Sequence, residues 1–460
     1  MPQPVDTSLT EGSPIRALLR LALPFMVGNV LSLVVLVADR LWIGEVGTEA
    51  LAALGVAHVS LMVIHTAVMG MGIGTLAGVA RNVGLGAGET AGRFYGRGMV
   101  MAVALAAGLV ALSFVVPEPL MAYMQVEPAV AGPAVDYLRI SLWAYVFQAP
   151  MFVQNFALQG AGEARAALAV STVSPLLNAA LDPLFIFGFD LGLPGAAWAS
   201  LISYAAGLAT GGFLIARGRL RLRASRQSFA GGQGIARQVV KVGVPGTLEH
   251  LVRTVASFFL ITIIAPFGAA VLSAYSAALV LALSLVIPGL AIGQAAAALM
   301  GQNLGAGQPR RAWHTAWIGV GLYTTMMVVA GVLVYLFAEP LIAAFDDNPA
   351  VVAEGARLLR IQVVAYPGIA VALALSKAFG GAGTTLPAMF SAAVGHLVWQ
   401  IPAAWYLSEQ YGPVGAYWAL ATAFLVHAAV QVVLFVHRFR PGGALARAAE
   451  AGELDTAWRR

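Results

Sequence analysis

The chain has no cysteine and few charged residues. The absence of cysteine from 460 residues excludes disulfide bridges, cysteine-ligated zinc and thiol chemistry. Charged residues make up 10% of the chain, whereas a soluble domain carries about 25%. Apolar residues make up 60%, and the mean hydropathy is +0.83. This number of charged residues is too small to cover a globular surface in water. We therefore expect lipid to be the main solvent of this chain.

The N-terminus shows no short apolar core followed by a small-residue cleavage site. We therefore expect the first apolar run to be retained as a membrane helix. The net charge of +5 does not indicate nucleic-acid binding, because the basic residues lie between apolar runs, as membrane topology requires. No nucleic-acid partner is expected.

Twelve long apolar runs predict an all-α polytopic membrane protein with twelve transmembrane helices in two six-helix lobes. The predicted organisation is a first lobe at 1–217, a basic cytoplasmic linker at 218–237, a second lobe at 238–440 and a cytoplasmic tail at 441–460. The predicted spans are 15–39, 50–78, 98–117, 134–157, 165–188, 194–216, 239–265, 271–299, 314–338, 356–376, 386–407 and 413–437.

Loop charge alternates between the two sides of the predicted membrane. One side carries basic residues such as Arg81, Arg165, Arg310 and Lys377, and the other carries mainly acids. The basic side should be cytoplasmic. We therefore expect a multi-pass protein of the cell (inner or plasma) membrane with both termini in the cytoplasm. Arg40, near the outer end of the first span, is an exception.

The two halves of the chain repeat each other at a spacing of about 221 residues. Repeated segments include Glu118–Leu120 with Glu339–Leu341, Leu138–Ile140 with Leu359–Ile361, and Gly160–Gly162 with Gly381–Gly383. Six spans in each half make both halves enter the membrane in the same direction. This arrangement is typical of transporters whose halves move around a central site. A duplicated helical bundle in an enzyme or a scaffold is the alternative.

Two acids, Asp39 and Asp182, lie in or at the end of predicted spans, where a charge costs about 3 kcal/mol. Asn178 precedes Asp182 by four residues, so both side chains leave one face of a helix. The directions of the spans place Tyr137 and Ser200 at the same depth. We therefore expect these five oxygen-bearing side chains to gather in the outer half of the first lobe.

Such a cluster suits either a sodium ion or a proton. Carboxylate, amide and hydroxyl oxygens are hard ligands, and two carboxylates in a medium of low dielectric repel each other, which favours protonation of one. The matching positions of the second half are Leu260, Trp399 and Ala403. In the other interpretation, Asp39 is an interfacial acid paired with Arg40, and Asp182 caps a bent helix.

Other polar residues are weaker signals. Glu249 and Arg253 stand four apart and favour a structural ion pair within one helix. The histidines are isolated in the sequence, and we expect each to be a hydrogen-bonded interior residue. They are His58, His65, His396 and His427.

Taken together, the chain resembles the multidrug and toxin extrusion (MATE) family, and most closely its prokaryotic DinF-like branch. The resemblance rests on twice six helices, Pro24 in span 1, Asp39 after an apolar run, and Asn178 spaced four residues before Asp182 and Pro183. It implies two lobes around a V-shaped cavity and a monomeric antiporter, not an enzyme. It also implies export of organic cations and amphipathic drugs across the lipid bilayer in exchange for H⁺ or Na⁺, with no other cofactor.

The resemblance also implies roles for individual residues. The residues of the implied cation site, which would be the metal ligands if the ion is Na⁺, are Asp39, Asn178, Asp182 and Ser200. Tyr137 would join the surrounding hydrogen-bond network, Asn155 the substrate cavity, and Pro24 would bend span 1.

One departure and two rival functions bear on this expectation. The NorM-like branch of the family is a variant with acidic coupling residues in the second lobe. In this chain Thr384 and Thr385 follow Gly381–Gly383 without an acid, so coupling through the second lobe is not expected.

A lipid-linked oligosaccharide flippase of the same superfamily is the alternative function, but it should place basic residues in the cavity. A membrane enzyme acting on prenyl lipids would need aspartates at the cytoplasmic face, whereas Asp346 and Asp347 lie on the opposite side.

Overall fold

The protein is built from helices. The computed structural model describes residues 9–230 and 233–443, and these residues contain no strand. Most of the predicted tail at 441–460, from residue 444 onward, lies outside the described residues. The α-helices of the described residues, numbered in chain order, are α1 Pro14–Val46, α2 Thr48–Gly84, α3 Gly88–Leu112, α4 Pro117–Tyr123, α5 Pro128–Ala161, α6 Ala164–Pro183, α7 Gly192–Ala216, α8 Arg226–Ala230, α9 Gln233–Ile264, α10 Ala269–Gly305, α11 Pro309–Leu336, α12 Ala338–Ala343, α13 Pro349–Gln362, α14 Tyr366–Gly381, α15 Leu386–Ala392, α16 Ile401–Tyr411 and α17 Pro413–Phe439.

Ten helical segments of the described residues are long and apolar enough to cross a membrane. Two more segments have sufficient length. Helix α5 has 34 residues, but Gln154, Asn155 and Gln159 lower its hydropathy. Helices α15 and α16 are joined by the π-helical stretch Ala393–Gln400 into one continuous segment. The prediction of twelve transmembrane helices, six in each half, is confirmed.

Close helix crossings recur at the spacing of the internal repeat. A Cβ atom on Gly160 would lie 2.6 Å from the carbonyl oxygen of Leu76, where α5 crosses α2. A Cβ atom on Gly381 would lie 1.9 Å from the carbonyl oxygen of Ala297, where α14 crosses α10. Glycine is required at both positions because no other residue lets the two backbones approach so closely.

Ion pairs recur at the same spacing. Arg139 of α5 pairs with Glu118 of the short helix α4. In the second half, Arg360 of α13 lies 3.1 Å from Glu339 of the short helix α12, measured from Nη2 to Oε1. The repeat in the sequence is therefore also a repeat of side-chain contacts. In each half, an ion pair joins a short helix to the helix that follows it.

The chain forms two compact units. One comprises residues 27–244, and the other comprises residues 1–26 and 245–460. The start of α1 thus packs with helices of the second half, where Arg311 donates through Nη1 to the carbonyl oxygen of Gly12 at 2.7 Å. The start of α9 packs with helices of the first half. Both divisions fall beside repeat-related prolines, Pro24 and Pro245. A proline lacks the N–H that continues the helical ladder, so each helix is locally weakened where its packing partners change.

Part of the basic linker packs against the first-half helices. Leu222 is fully buried, and the backbone N–H of Arg221 donates to Oε1 of Glu163 at 2.7 Å. A Cβ atom on Gly92 in α3 would lie 2.0 Å from the carbonyl oxygen of Arg223. The linker is therefore anchored through its backbone against α3.

Two predicted positions are corrected by the helix bounds. Span 1 was expected to end at residue 39, but α1 continues to Val46, so Asp39 lies inside the helix. Lys377 was placed in a basic loop, but it lies within α14 and is partly buried. Both errors arise because a charged residue looks like the end of an apolar run in the sequence, although neighbouring helices can surround it.

Candidate functional site

A buried pair of carboxyl groups forms the centre of the candidate site. Asp39 projects from α1 and Asp182 from the end of α6, and their carboxyl groups lie close enough to interact. Asp182 is 1% exposed and Asp39 is partly buried. One oxygen of each carboxylate, Oδ1 of Asp39 and Oδ2 of Asp182, is buried without a hydrogen-bond donor from the described residues. The pair therefore presents unneutralised oxygen atoms to a cation.

Asn178 connects this pair to the neighbouring helix. Its Nδ2 donates to Oδ1 of Asp182 at 3.0 Å and lies 3.4 Å from Oγ of Ser200 in α7. The four-residue spacing of Asn178 and Asp182 puts both on one face of α6, as the sequence predicted. The structure thus brings together Asp39, Asn178, Asp182 and Ser200 from three helices.

Two tyrosines complete the polar surroundings of the carboxyl pair. Tyr137 of α5 is 9% exposed and lies near Ser141 and both aspartates. Tyr204 of α7 lies near the same two aspartates. Tyr204 was not predicted from the sequence, although its position four residues after Ser200 places it on the same face of α7.

The backbone around Asp182 is irregular. Pro183 ends α6 immediately after Asp182, and a π-helical stretch, Leu184–Gly188, continues the segment. A proline in this position removes a backbone donor, and π-helical turns are frequent at functional sites. The second half contains its own π-helical stretch, Ala393–Gln400, but no acid accompanies it. At the repeat spacing, Ala393–Gln400 corresponds to residues 172–179 of α6 and not to Leu184–Gly188, so the irregular backbone beside the carboxylate belongs to the first half.

The donor set fits a small hard cation or a proton. The two aspartates, the amide oxygen of Asn178 and the hydroxyl of Ser200 offer the oxygen ligands that Na⁺ requires. No group of three or more histidine, aspartate or glutamate side chains gathers as a metal site within residues 9–230 and 233–443. A proton or a cation between the two aspartates would relieve the repulsion between two carboxylates in a medium of low dielectric.

Two other predicted residues lie apart from this cluster. Asn155 follows Tyr137 by eighteen residues on α5, which corresponds to about 27 Å of helix. Its Oδ1 atom is buried and has no hydrogen-bond partner in the described part of the chain. Pro24 lies inside α1, fifteen residues before Asp39. The structure therefore does not place either residue with the carboxyl pair.

The second half carries a different polar interior. Glu249 and Arg253 form the predicted ion pair, with Nη1 of Arg253 2.7 Å from Oε1 of Glu249. The repeat position of Asp39 is occupied by Leu260, which is 1% exposed. The second half therefore has no carboxylate at the position that corresponds to Asp39.

The expectation of hydrogen-bonded interior histidines is confirmed for His396 and His427, but the two are not isolated because they contact each other. Nε2 of His396 lies 3.3 Å from Nδ1 of His427, although 31 residues separate them. The outer nitrogens of the pair lie 2.8 Å from the side-chain oxygens of Gln400 and Gln431. No spacing in the sequence predicts this contact, because it joins side chains from two different segments.

Comparisons with known proteins agree with this architecture. The family model described as MatE matches residues 24–184 and 245–406, one match in each half. The chain is 26% identical over 426 residues to "Probable multidrug resistance protein YpnP" of Bacillus subtilis, covering 90% of this chain and 93% of that protein. It is 26% identical over 340 residues to "FAD transporter" of Shewanella oneidensis, covering 73% and 75% of the two chains. A solved structure described as "Crystal structure of MATE in complex with MaD3S" has a TM-score of 0.89 at 23% identity, covering 96% of this chain and 99% of that one.

Proposed function

The chain belongs to the MatE family of multidrug transporters, and on this premise we propose that it is a secondary antiporter that exports organic cations and amphipathic drugs in exchange for H⁺ or Na⁺. The family consists of membrane transporters rather than enzymes. The protein is accordingly a multi-pass membrane protein of the transporter class.

The observation that carries the proposed coupling is the buried pair Asp39 and Asp182. Two carboxylates in contact are poorly tolerated while both are charged, so the site gains stability when a proton or Na⁺ enters it. An ion that binds one conformation more tightly than another shifts the population towards that conformation. Binding of the coupling ion would therefore favour one arrangement of the first lobe, and its release would favour the other.

Residues outside the pair have supporting roles in this proposal. Asn178 and Ser200 would complete the ligand shell, and Tyr137 would hold the surrounding hydrogen bonds. Pro24 would let α1 bend, since the division between compact units falls just after it. Asn155 would meet the substrate, because its amide oxygen is buried but unpartnered.

The cargo and the cellular setting follow from the relatives and from loop charge. Relatives named for multidrug resistance support amphipathic drugs as substrates, and the Shewanella relative is named for FAD. These names do not favour the flippase alternative. The alternating loop charge supports a cell-membrane location with both termini cytoplasmic. We propose that the monomer is the working unit, because the site is assembled within one compact unit of one chain.

Transport by the purified protein in liposomes tests the proposal. Ethidium efflux is measured under a proton gradient alone and under a sodium gradient alone. Wild-type protein should respond to at least one gradient, and Asp39→Asn should lose the response while remaining folded. Asp136→Asn is the matched control, because Asp136 lies in the same compact unit with 61% of its side chain exposed. Gradient-driven efflux by Asp39→Asn at the wild-type rate would contradict the coupling role.

A further inference from the structure

A second charged cluster lies inside the second half of the chain. Glu249 and Arg253 project from the middle of α9, and Ser376 and Lys377 lie near the end of α14. Glu249 is 4% exposed, while Arg253 retains 17% of its side chain exposed. All four residues belong to the compact unit that contains residues 245–460.

Both oxygens of Glu249 are engaged by neighbours. Its Oε1 accepts from Nη1 of Arg253 at 2.7 Å, and its Oε2 accepts from Oγ of Ser376 at 2.6 Å. Arg253 also contacts His250, with Nη2 3.2 Å from Nδ1. The acid is therefore neutralised by one arginine within the cluster.

Lys377 adds a second cation to a cluster with one acid. The charged groups that act on its ammonium are Glu249, which attracts it, and Arg253, which repels it. Counted formally, the one acid Glu249 and the two basic residues Arg253 and Lys377 give these three side chains a charge of +1. An uncompensated charge in the interior is unfavourable unless a partner neutralises it.

The cluster also occupies the repeat position of the proposed substrate residue. At the spacing of about 221 residues, Ser376 corresponds to Asn155 and Lys377 to Phe156. The stem of Lys377 packs against Gly293 of α10, where a Cβ atom would lie 3.0 Å from Cγ of the lysine. Lys377 is one of only two lysines in the chain. The second half thus has a cation where the first half has an aromatic ring.

From this geometry we propose that the second half contains an anion-binding site, in which Lys377 and Arg253 hold a carboxylate or phosphate group of an amphipathic substrate. The site rests on the proposed export function, and it widens the substrate class from organic cations to zwitterionic and anionic amphiphiles. The anion neutralises the excess charge of the cluster, and the partly exposed side chains of Lys377 and Arg253 allow it to enter.

A pair of dyes that differ in one charge tests this site. Rhodamine B carries a free carboxylate, and its ethyl ester has the same ring system without that charge. Binding of each dye to protein in lipid nanodiscs is measured by fluorescence anisotropy. Lys377→Met should weaken binding of rhodamine B about tenfold, the loss expected for one charge-assisted contact, and leave binding of the ester within about twofold. Lys377→Arg should retain most of the affinity for rhodamine B.

The matched control is Lys241→Met, because Lys241 is the other lysine and is exposed. Riboflavin and riboflavin 5′-phosphate form a second dye pair, which separates recognition of phosphate from recognition of carboxylate.

If Lys377→Met does not fold, wild-type protein alone still decides the question. It should bind at least one of the two anionic dyes as tightly as its neutral or esterified counterpart.

Equal loss of both dyes in folded Lys377→Met, or unchanged binding of every anionic dye, would overturn the site. So would wild-type protein that binds the ester and riboflavin about tenfold more tightly than rhodamine B and riboflavin phosphate. A failure of the antiport proposal would be a separate result. Wild-type protein would then show no gradient-driven ethidium efflux, and the comparison of dye binding would be unaffected.

Discussion

Asp39 and Asp182 pair their carboxyl groups, although they belong to helices separated by more than a hundred residues of chain. Neither aspartate pairs with an arginine at this site, and one oxygen of each has no donor from the described residues. The structure therefore favours contact of Asp39 with a second acid over its pairing with Arg40.

Replacing Asp182 should separate activity from stability. We expect Asp182→Asn to lose gradient-driven efflux while the thermal unfolding temperature stays constant or rises, because the amide removes repulsion from a buried site. Efflux in liposomes and unfolding in detergent measure the two effects. Asp190→Asn, in an exposed turn just beyond the helix, is the control and should change neither.

Removing the amide of Asn178 should weaken ion binding without abolishing it. Asn178→Ala loses the hydrogen bond to Asp182 and the contact with Ser200, each worth about 1 kcal/mol. The ion concentration for half-maximal efflux should therefore rise by up to about thirtyfold, the factor that corresponds to about 2 kcal/mol. Ser200→Thr retains the hydroxyl and should stay close to wild type. An Asn178→Ala variant with unaltered ion dependence would contradict a ligand role for the amide.

The hydroxyl of Tyr204 should tune the same site. Tyr204→Phe removes a polar group close to both aspartates, so the ion dependence of efflux should shift while maximal efflux is retained. A titration of efflux against pH and against sodium measures the shift. Tyr411→Phe is the control because Tyr411 is 68% exposed and should leave both titrations unchanged.

Glycine at the helix crossings should be essential for stability. Gly381→Ala places a methyl group against the carbonyl oxygen of Ala297, and overpacking of this kind costs about 1–3 kcal/mol. Gly321→Ala provides the contrast, because nothing lies within 4 Å of its Cβ position and alanine favours a helix by about 1 kcal/mol. Unfolding in detergent should move in opposite directions for the two variants.

The ion pair of Glu249 and Arg253 should behave as a buried unit. Arg253→Met leaves the carboxylate of Glu249 without its main cation and should destabilise the protein by about 3–5 kcal/mol. The double variant Glu249→Met with Arg253→Met should recover most of this loss, because no buried acid remains. A double variant as unstable as the single one would show that the pair is not coupled.

Several parts of the candidate site were predictable from local spacing. The four-residue interval between Asn178 and Asp182 placed both on one helix face, and span direction placed Tyr137 and Ser200 at their depth. Tyr204 was missed because its neighbours on α7 are largely apolar and a lone tyrosine is unremarkable in a membrane helix. Lys377 was assigned to a loop because it stands near the end of an apolar run, whereas α14 continues to Gly381.

Composition and periodicity determined the solvent, the secondary structure and the duplication of this protein, because these properties depend on how many apolar residues occur and how they are spaced along the chain. The tertiary structure alone decided which polar side chains meet. The contacts between Asp39 and Asp182, between Glu249 and Ser376, and between His396 and His427 join segments far apart in sequence. Such contacts depend on the rotation and crossing of whole helices against each other, which spacing within a single helix does not determine.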